Sequence, residues 1–152
     1  MKFSTRTRYG LRAVLVLASR FGQGSLPVSQ IAKNQGISVA YLEQILNSLK
    51  RKGLVKSVRG PQGGYALTKK PSEIPLDRLF GMLNGRGPVE ENLKTTSGHG
   101  TDEVQIANEF FWKKFHSLIE KGLSEMTLKS LLDEARRYKR LKPGASHYPF
   151  NI

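Results

Sequence analysis

The chain has 152 residues, no Cys, and 25 Lys and Arg against 12 Asp and Glu, for a formal charge of +13 at pH 7. That length suits one ordinary domain, able to bury roughly 68–70% of its unfolded surface and to fold without a metal or disulfide as a staple. The missing thiols exclude disulfides, cysteine-ligated zinc, cysteinyl iron-sulfur clusters and thiol catalysis, and they are compatible with a reducing cytoplasm, where we expect the protein to work.

The charge is unevenly placed. Residues 1–72 hold 13 Lys and Arg against the single acid Glu43, whereas residues 73–152 hold 12 against 11. A merely solvated basic surface is the plain alternative, but such a face would be expected to mix signs. The polarised half points instead to a partner rich in phosphate.

In chain order, MKFSTRTRYGLRAVLVLASRF places basic residues ahead of an apolar run, in the manner of a signal peptide. Arg12 and Arg20 interrupt or bound that run and no small-residue cleavage site follows, so an amphipathic helix fits better. Ser4 or Thr5 starts it, Tyr9, Ala13, Val16 and Leu17 form one stripe, Leu11, Val14, Leu15 and Ala18 fill adjacent ones, and Gly22 and Gly24 stop it. So much apolar surface implies burial on more than one side, against small helices and either a later segment or a second subunit. No window is long and apolar enough to span a bilayer.

Pro27 opens a short helix with Val28, Ile31 and Ala32 inward, and Gly36 ends it by taking the left-handed turn that a tight inter-helix connection needs. Ser38 is then an N-cap for the next helix, with Ile37 and Leu42 as a hydrophobic staple. Leu42, Ile45, Leu46 and Leu49 recur at helical spacing, so one face is buried while Val39, Ala40, Glu43, Gln44 and Asn47 look outward. This is a helix-turn-helix whose second member has a small, polar leading end, suited to a major groove. After Lys50, Arg51 and Lys52, Gly53 closes the helix. Residues 54–58, a turn over 59–64 and a returning strand over 65–67 read as a hairpin with a basic tip.

Lys69, Lys70 and Pro71 leave that wing, and Pro75 precedes Leu76, Leu79, Phe80 and Leu83 on a further short helix ending near Asn84 and Gly85. Residues 84–102 lack periodicity and are rich in Gly, Ser, Thr and Asn, which predicts a flexible loop. Asp102 or Thr101 caps a long helix carrying Ile106, Phe110, Phe111, Phe115, Leu118, Ile119 and Leu123, with Trp112 flanking. A small winged-helix domain has too little remaining core to cover so broad a stripe. A symmetric dimer is the economical solution, each long helix packing on its mate and on the partner's first helix; an intramolecular core helix is the alternative. Thr127 starts a last helix over 128–138, after which periodicity fades.

The expected architecture is thus mainly α with a small β wing. It divides into a winged helix-turn-helix domain over 1–83, the loop over 84–102, a dimerisation helix and following helix over 103–140, and a tail over 141–152. Nothing resembles an enzyme's His-carboxylate-nucleophile arrangement. The run from Gly60 to Gly64 lacks the Lys-Ser/Thr ending and the following helix that a phosphate-binding loop requires.

The stretch GISVAYLEQILNSLKRKGLVKSVRGPQGGYAL resembles the signature of the Rrf2 family, bacterial winged-helix regulators that include the IscR, NsrR and CymR types. STRTRYGLRAVLVLA is similar to that family's first helix, and FFWKKF with MTLKSLLDEA resembles its dimerisation helix and the segment after it. The likeness is close from residue 3 to about 85 and looser from about 104 to 135. It implies a homodimer that binds a partly palindromic operator in double-stranded DNA and usually represses transcription. In the family, positions like Ser38, Ala40, Tyr41, Glu43 and Gln44 meet base edges and phosphates. Physically, Gln44 offers paired donor and acceptor atoms to an adenine, and Glu43 can accept from a cytosine amine while repelling misplaced phosphates. A salt bridge from Glu43 to Lys50, Arg51 or Arg12 is its structural alternative. Arg59 should reach a narrow minor groove, with Gly60 permitting the approach. Lys50, Arg51, Lys52, Lys56 and Arg8 suit phosphate contacts.

Family members that hold an iron-sulfur cluster use Cys residues in the loop corresponding to 84–102, and this loop has none. His99 has Glu90, Glu91, Asp102 and Glu103 nearby, a weak signal in a Gly/Ser loop, and His116 and His147 read as helix-surface and tail residues. We therefore expect no metal or cofactor, with signal input from something other than a cysteinyl cluster, or constitutive action. The ending Tyr148-Pro149-Phe150-Asn151-Ile152 resembles the tails by which serine acetyltransferases insert a terminal Ile carboxylate into O-acetylserine thiol-lyase, and a cysteine-metabolism branch of the family, the CymR type, closes similarly. A carboxylate with the Asn151 amide mimics an amino acid, while Phe150 and Ile152 fill an apolar mouth. An arbitrary ending, or packing of Tyr148 and Phe150 on the dimer, are the alternatives.

Overall fold

The computed structural model describes residues 4–61, 63–84 and 102–141. Along them run α1 (Thr5–Ser19), α2 (Val28–Gln35), α3 (Val39–Arg51), the hairpin strands β1 (Val55–Val58) and β2 (Gly64–Leu67), α4 (Leu76–Asn84), α5 (Glu103–Ser124) and α6 (Leu128–Leu141). A single 3-10 turn, Pro71–Glu73, precedes α4. The fold is mainly α with a small antiparallel wing, as the periodicities predict. No described helix is long and apolar enough to cross a membrane. The expectations for the loop and the tail fall on residues 85–101 and 142–152, outside the described residues.

Ser4 caps α1, its hydroxyl accepting from the Thr7 amide at 3.1 Å. The helix ends at Ser19, before the two glycines expected to stop it, because the amides of Arg20 and Phe21 donate back to Leu17 and Ala18 and tighten the last turn. Its inward face is Thr7, Gly10, Ala13, Val14, Leu17 and Ala18, while Tyr9 and Val16 are only half-buried. The expected stripe is therefore rotated, and Gly10 supplies the reason. A Cβ there would overlap the Leu83 side chain, so the missing methyl lets α4 close onto α1. At the same end the buried Thr7 hydroxyl donates to Asn84 Oδ1 and lies 2.8 Å from Ser4 Oγ, tying the start of α1 to the end of α4.

α1 is the hub, packing against α2, α3, α4, α6 and β2. The apolar cluster around it takes Ile31 and Ala32 from α2, Leu42, Ile45, Leu46 and Leu49 from α3, and Leu76, Leu79, Phe80 and Leu83 from α4. Burial of α1 on several sides is thus met in part by later segments of the same chain, with Leu11, Leu15 and Val16 left half-buried. One of these segments is α6, whose Leu128 is fully buried in the same cluster. The Leu76 amide donates to Met126 O at 2.9 Å and the Leu128 amide to Ile74 O at 3.1 Å, so the start of α6 is stitched beside the start of α4. From residue 103 the chain forms two helices, α5 and α6. The second helix returns to the core and runs three residues past the expected end at 138, whereas no residue of α5 is buried.

Candidate nucleic-acid interface

The geometry of α3 is set by its two ends. Gly36 takes φ +62° and its amide bonds to Ala32 O, as does the amide of Ile37 at 3.1 Å, so α2 stops and the chain turns within two residues. Ser38 then accepts from the Tyr41 amide at 3.3 Å. At the far end Gly53, at φ +76°, donates to Lys50 O at 3.0 Å and Leu54 to Leu49 O at 3.0 Å, with Leu54 buried: the paired bonds and apolar contact of a Schellman closure. Between the caps α3 buries Leu42, Ile45, Leu46, Ser48 and Leu49 and exposes Val39, Ala40, Glu43, Gln44 and Asn47. Tyr41 is half-buried, its ring edge-on to Tyr9 at 6.1 Å. That leaves its rim, rather than the whole side chain, to the surface.

The wing is held on both sides. β1 and β2 pair from Val55 opposite Leu67 to Val58 opposite Gly64. Leu26, from the segment before α2, flanks the other edge of β2, exchanging bonds of 2.9 and 2.8 Å with Tyr65. Any side chain at position 64 would strike the Leu26 carbonyl, so the backbones approach this closely only because Gly64 has none. On one face of the hairpin Ser57 accepts from Lys50 Nζ at 2.6 Å, and Tyr65 donates its hydroxyl to Asn47 Oδ1 at 3.0 Å. Burial first, and the Glu43 carboxylate second, push the Tyr65 phenol above its ordinary value, so it stays a donor. These two bonds lock the wing to α3. Neither Asn47 nor Tyr65 is among the expected site residues; the cross-strand pairing of Ser57 with Tyr65 is a signal that places those two on one face of the hairpin, and the outward position of Asn47 on α3 is the other.

Glu43 makes no ion pair with Lys50, Arg51 or Arg12. Among the described residues the ion pairs are those of Asp133 with Lys129 and Arg136 on α6. Arg12 Nε instead donates to Gln35 Oε1 at 2.8 Å, joining α1 to α2. Lys52, expected at a phosphate, is exposed and donates one bond to Met82 O in the last turn of α4. Arg8, Arg51, Lys56, Arg59 and Gly60 are exposed, with Gly60 at φ +116° in the wing turn.

On α5 the Asp102 side chain accepts from the Val104 amide at 3.4 Å. Ile106, Phe110, Phe111 and Leu118 are exposed, Phe110 by 69% and Leu118 by 63%, while Phe115 and Ile119 are half-buried. The rings form a cluster: Phe111 stacks on Phe115 at 6.0 Å, and Trp112 meets them edge-on at 5.2 and 5.9 Å. His116, expected on the helix surface, is half-buried, with an enclosed Nε2 that has no partner among the described residues.

In sequence and in fold the chain is similar to known proteins. The profile of the Rrf2 family, described as iron-dependent transcriptional regulators, matches residues 3–134. IscR of Aliivibrio salmonicida is 35% identical over 136 residues, covering 87% of this chain and 77% of that regulator. CymR of Bacillus subtilis is 33% identical over 132 residues, covering 86% and 89%. The solved structure of that CymR superposes with a TM-score of 0.74 at 31% identity, over 88% of this chain and 98% of the other. A cysteinyl iron-sulfur cluster does not fit the donor set here, because the chain has no thiolate to offer and the described residues hold no group of three or more His, Asp or Glu placed to share an ion. His99, Glu90 and Glu91 lie outside the described residues. With the match running from the first residues of α1 into α6 and the same fold in a solved relative, the chain belongs to the Rrf2 family and is a DNA-binding transcriptional regulator.

Proposed function

We propose that the protein is a homodimeric repressor that binds a partly palindromic operator through α3 and the wing. The observation that carries this reading is the outward polar face of α3, bolted to the wing by Lys50–Ser57 and Tyr65–Asn47 in the half of the chain that holds 13 cations against one acid. Ser38, Ala40, Tyr41, Glu43 and Gln44 address the major groove. Glu43, without an ion-pair partner among the described residues, accepts from a base amine and penalises misregistered phosphates. Arg59, with Gly60 beside it, enters the flanking minor groove; Lys50 and Lys56 serve phosphates. The exposed stripe from Ile106 to Ile119 is covered by its mate in a second copy, which sets the two α3 helices on half-sites about 34 Å apart.

The controlled genes belong to cysteine or sulfur metabolism in this reading. Likeness to CymR, described as the global cysteine regulator of B. subtilis, supports it. Action mainly through the tail on O-acetylserine thiol-lyase ranks below it, because that would leave the polarised charge and the α3 face without a role. The test is an unbiased selection of bound DNA followed by fluorescence titrations over a salt series. A rough palindrome should emerge. Arg59→Ala should relax preference at flanking A·T positions, and Lys56→Ala should weaken all sequences and flatten the salt slope. Equal losses for both variants on operator and random DNA would overturn the division of labour.

A further inference from the structure

Beside the wing lies an open groove of about 830 Å³ that shares Lys56, Arg59 and Gly60 with the DNA-reading set and has an apolar lining which that role leaves unexplained. Alternation along the strands places Ser57 and Tyr65 on the face bonded to α3, and Lys56, Val58, Ala66 and Thr68 on the opposite face, which walls the groove. The turn after α1 forms the other wall. Its apolar surface comes from Leu17, Phe21, Leu26, Val58 and Ala66, with Phe21 41% and Val58 43% exposed. Around it stand Arg20, Lys56 and Arg59.

No lining residue is acidic, and none of the three cations has an ion-pair partner among the described residues. Arg20 is steadied by a bond from Nη1 to Gln23 Oε1 at 3.3 Å, which leaves the rest of its guanidinium available at the rim. The volume lies within the range of small-molecule sites, which pair an apolar lining with a few placed polar groups. A phosphodiester backbone would satisfy the cations but offers nothing apolar to cover Phe21 and Val58. An anion with a hydrocarbon body satisfies both.

We propose that this groove binds a small organic anion with an apolar body, a medium-chain or aromatic carboxylate, and that the bound anion holds Arg59 away from DNA. The second half rests on the reading of Arg59 as the minor-groove residue; the first does not. Since an Arg59 side chain turned into the groove is withdrawn from the wing tip, the anion weakens operator binding by the same factor by which the operator weakens anion binding.

Decanoate is the probe, titrated calorimetrically into the full chain, with octanol and inorganic phosphate supplying the two halves of its chemistry separately. Decanoate should bind and the other two should bind far more weakly. Arg20→Gln and Phe21→Ser, both at exposed positions, should each weaken decanoate by roughly tenfold or more with the circular dichroism spectrum unchanged. Saturating decanoate should lower operator affinity in the wild type and leave Arg20→Gln insensitive. Decanoate binding that survives both substitutions overturns the proposal. So does an absence of decanoate binding, and an accompanying Arg20→Gln loss on all DNA would make the groove a phosphate seat. Decanoate bound as expected by a protein that ignores every duplex would leave the groove standing and remove the operator reading alone.

Discussion

α3 and α5 carry the same kind of signal, apolar residues at helical spacing, and meet opposite fates. α3 buries Leu42, Ile45, Leu46, Ser48 and Leu49, while α5, at 22 residues, buries none. The difference is in their surroundings. α3 is packed by α1, α2, α4 and β1 of its own chain, whereas α5 packs on α4 and leaves Phe110, Phe111 and Leu118 open. An apolar stripe states that a helix needs a partner. It does not state which chain supplies one.

The largest expected effect tests that contrast directly. Leu46→Ala should cost about 2–5 kcal/mol of folding stability, measured by urea denaturation, because a fully buried side chain is exchanged for a cavity. Phe110→Ala should change the stability of the dilute monomer by less than about 1 kcal/mol and shift the monomer–dimer equilibrium in sedimentation instead. Comparable destabilisation by both, with no change in association, would mean that α5 finds its cover within one chain.

A smaller effect sharpens the other side of the comparison, the exposed face of α3. Gln44→Ala should lose about 1–3 kcal/mol against the preferred base and almost nothing on random DNA, read by competition binding. A uniform loss would make Gln44 a backbone contact. Smaller still, Tyr65→Phe removes the bond to Asn47 and should cost about 0.5–1.5 kcal/mol. Its signature is faster amide exchange in the wing while α3 stays protected; unchanged exchange would show that Leu26 alone anchors β2.

Much of α3 was legible beforehand because its determinants are local. Ser38 and Tyr41, Gly36 and Ala32, and Gly53 and Lys50 lie within four residues of each other, where side-chain and backbone chemistry suffices to set a cap. The contacts that orient the interface are not of that kind. Tyr65 meets Asn47 across 18 positions, Lys52 meets Met82 across 30, and Thr7 meets Asn84 across 77. The rotation of α1 toward Gly10 depends on Leu83 in another helix, and periodicity within α1, apolar on several sides, held no means of choosing among its stripes.

Composition, cap residues and periodicity by themselves determined that this chain is a mainly helical, cysteine-free winged-helix protein with a basic N-terminal half, since each follows from residue chemistry within a turn or two of backbone. Tertiary structure alone decided which groups Lys50 and Lys52 bond to, how α3 and the wing become one body, that α6 returns Leu128 to the core, and that a cationic groove opens behind the hairpin. Those outcomes depend on side chains brought together by packing from distant parts of the chain, and local propensity carries no record of such encounters.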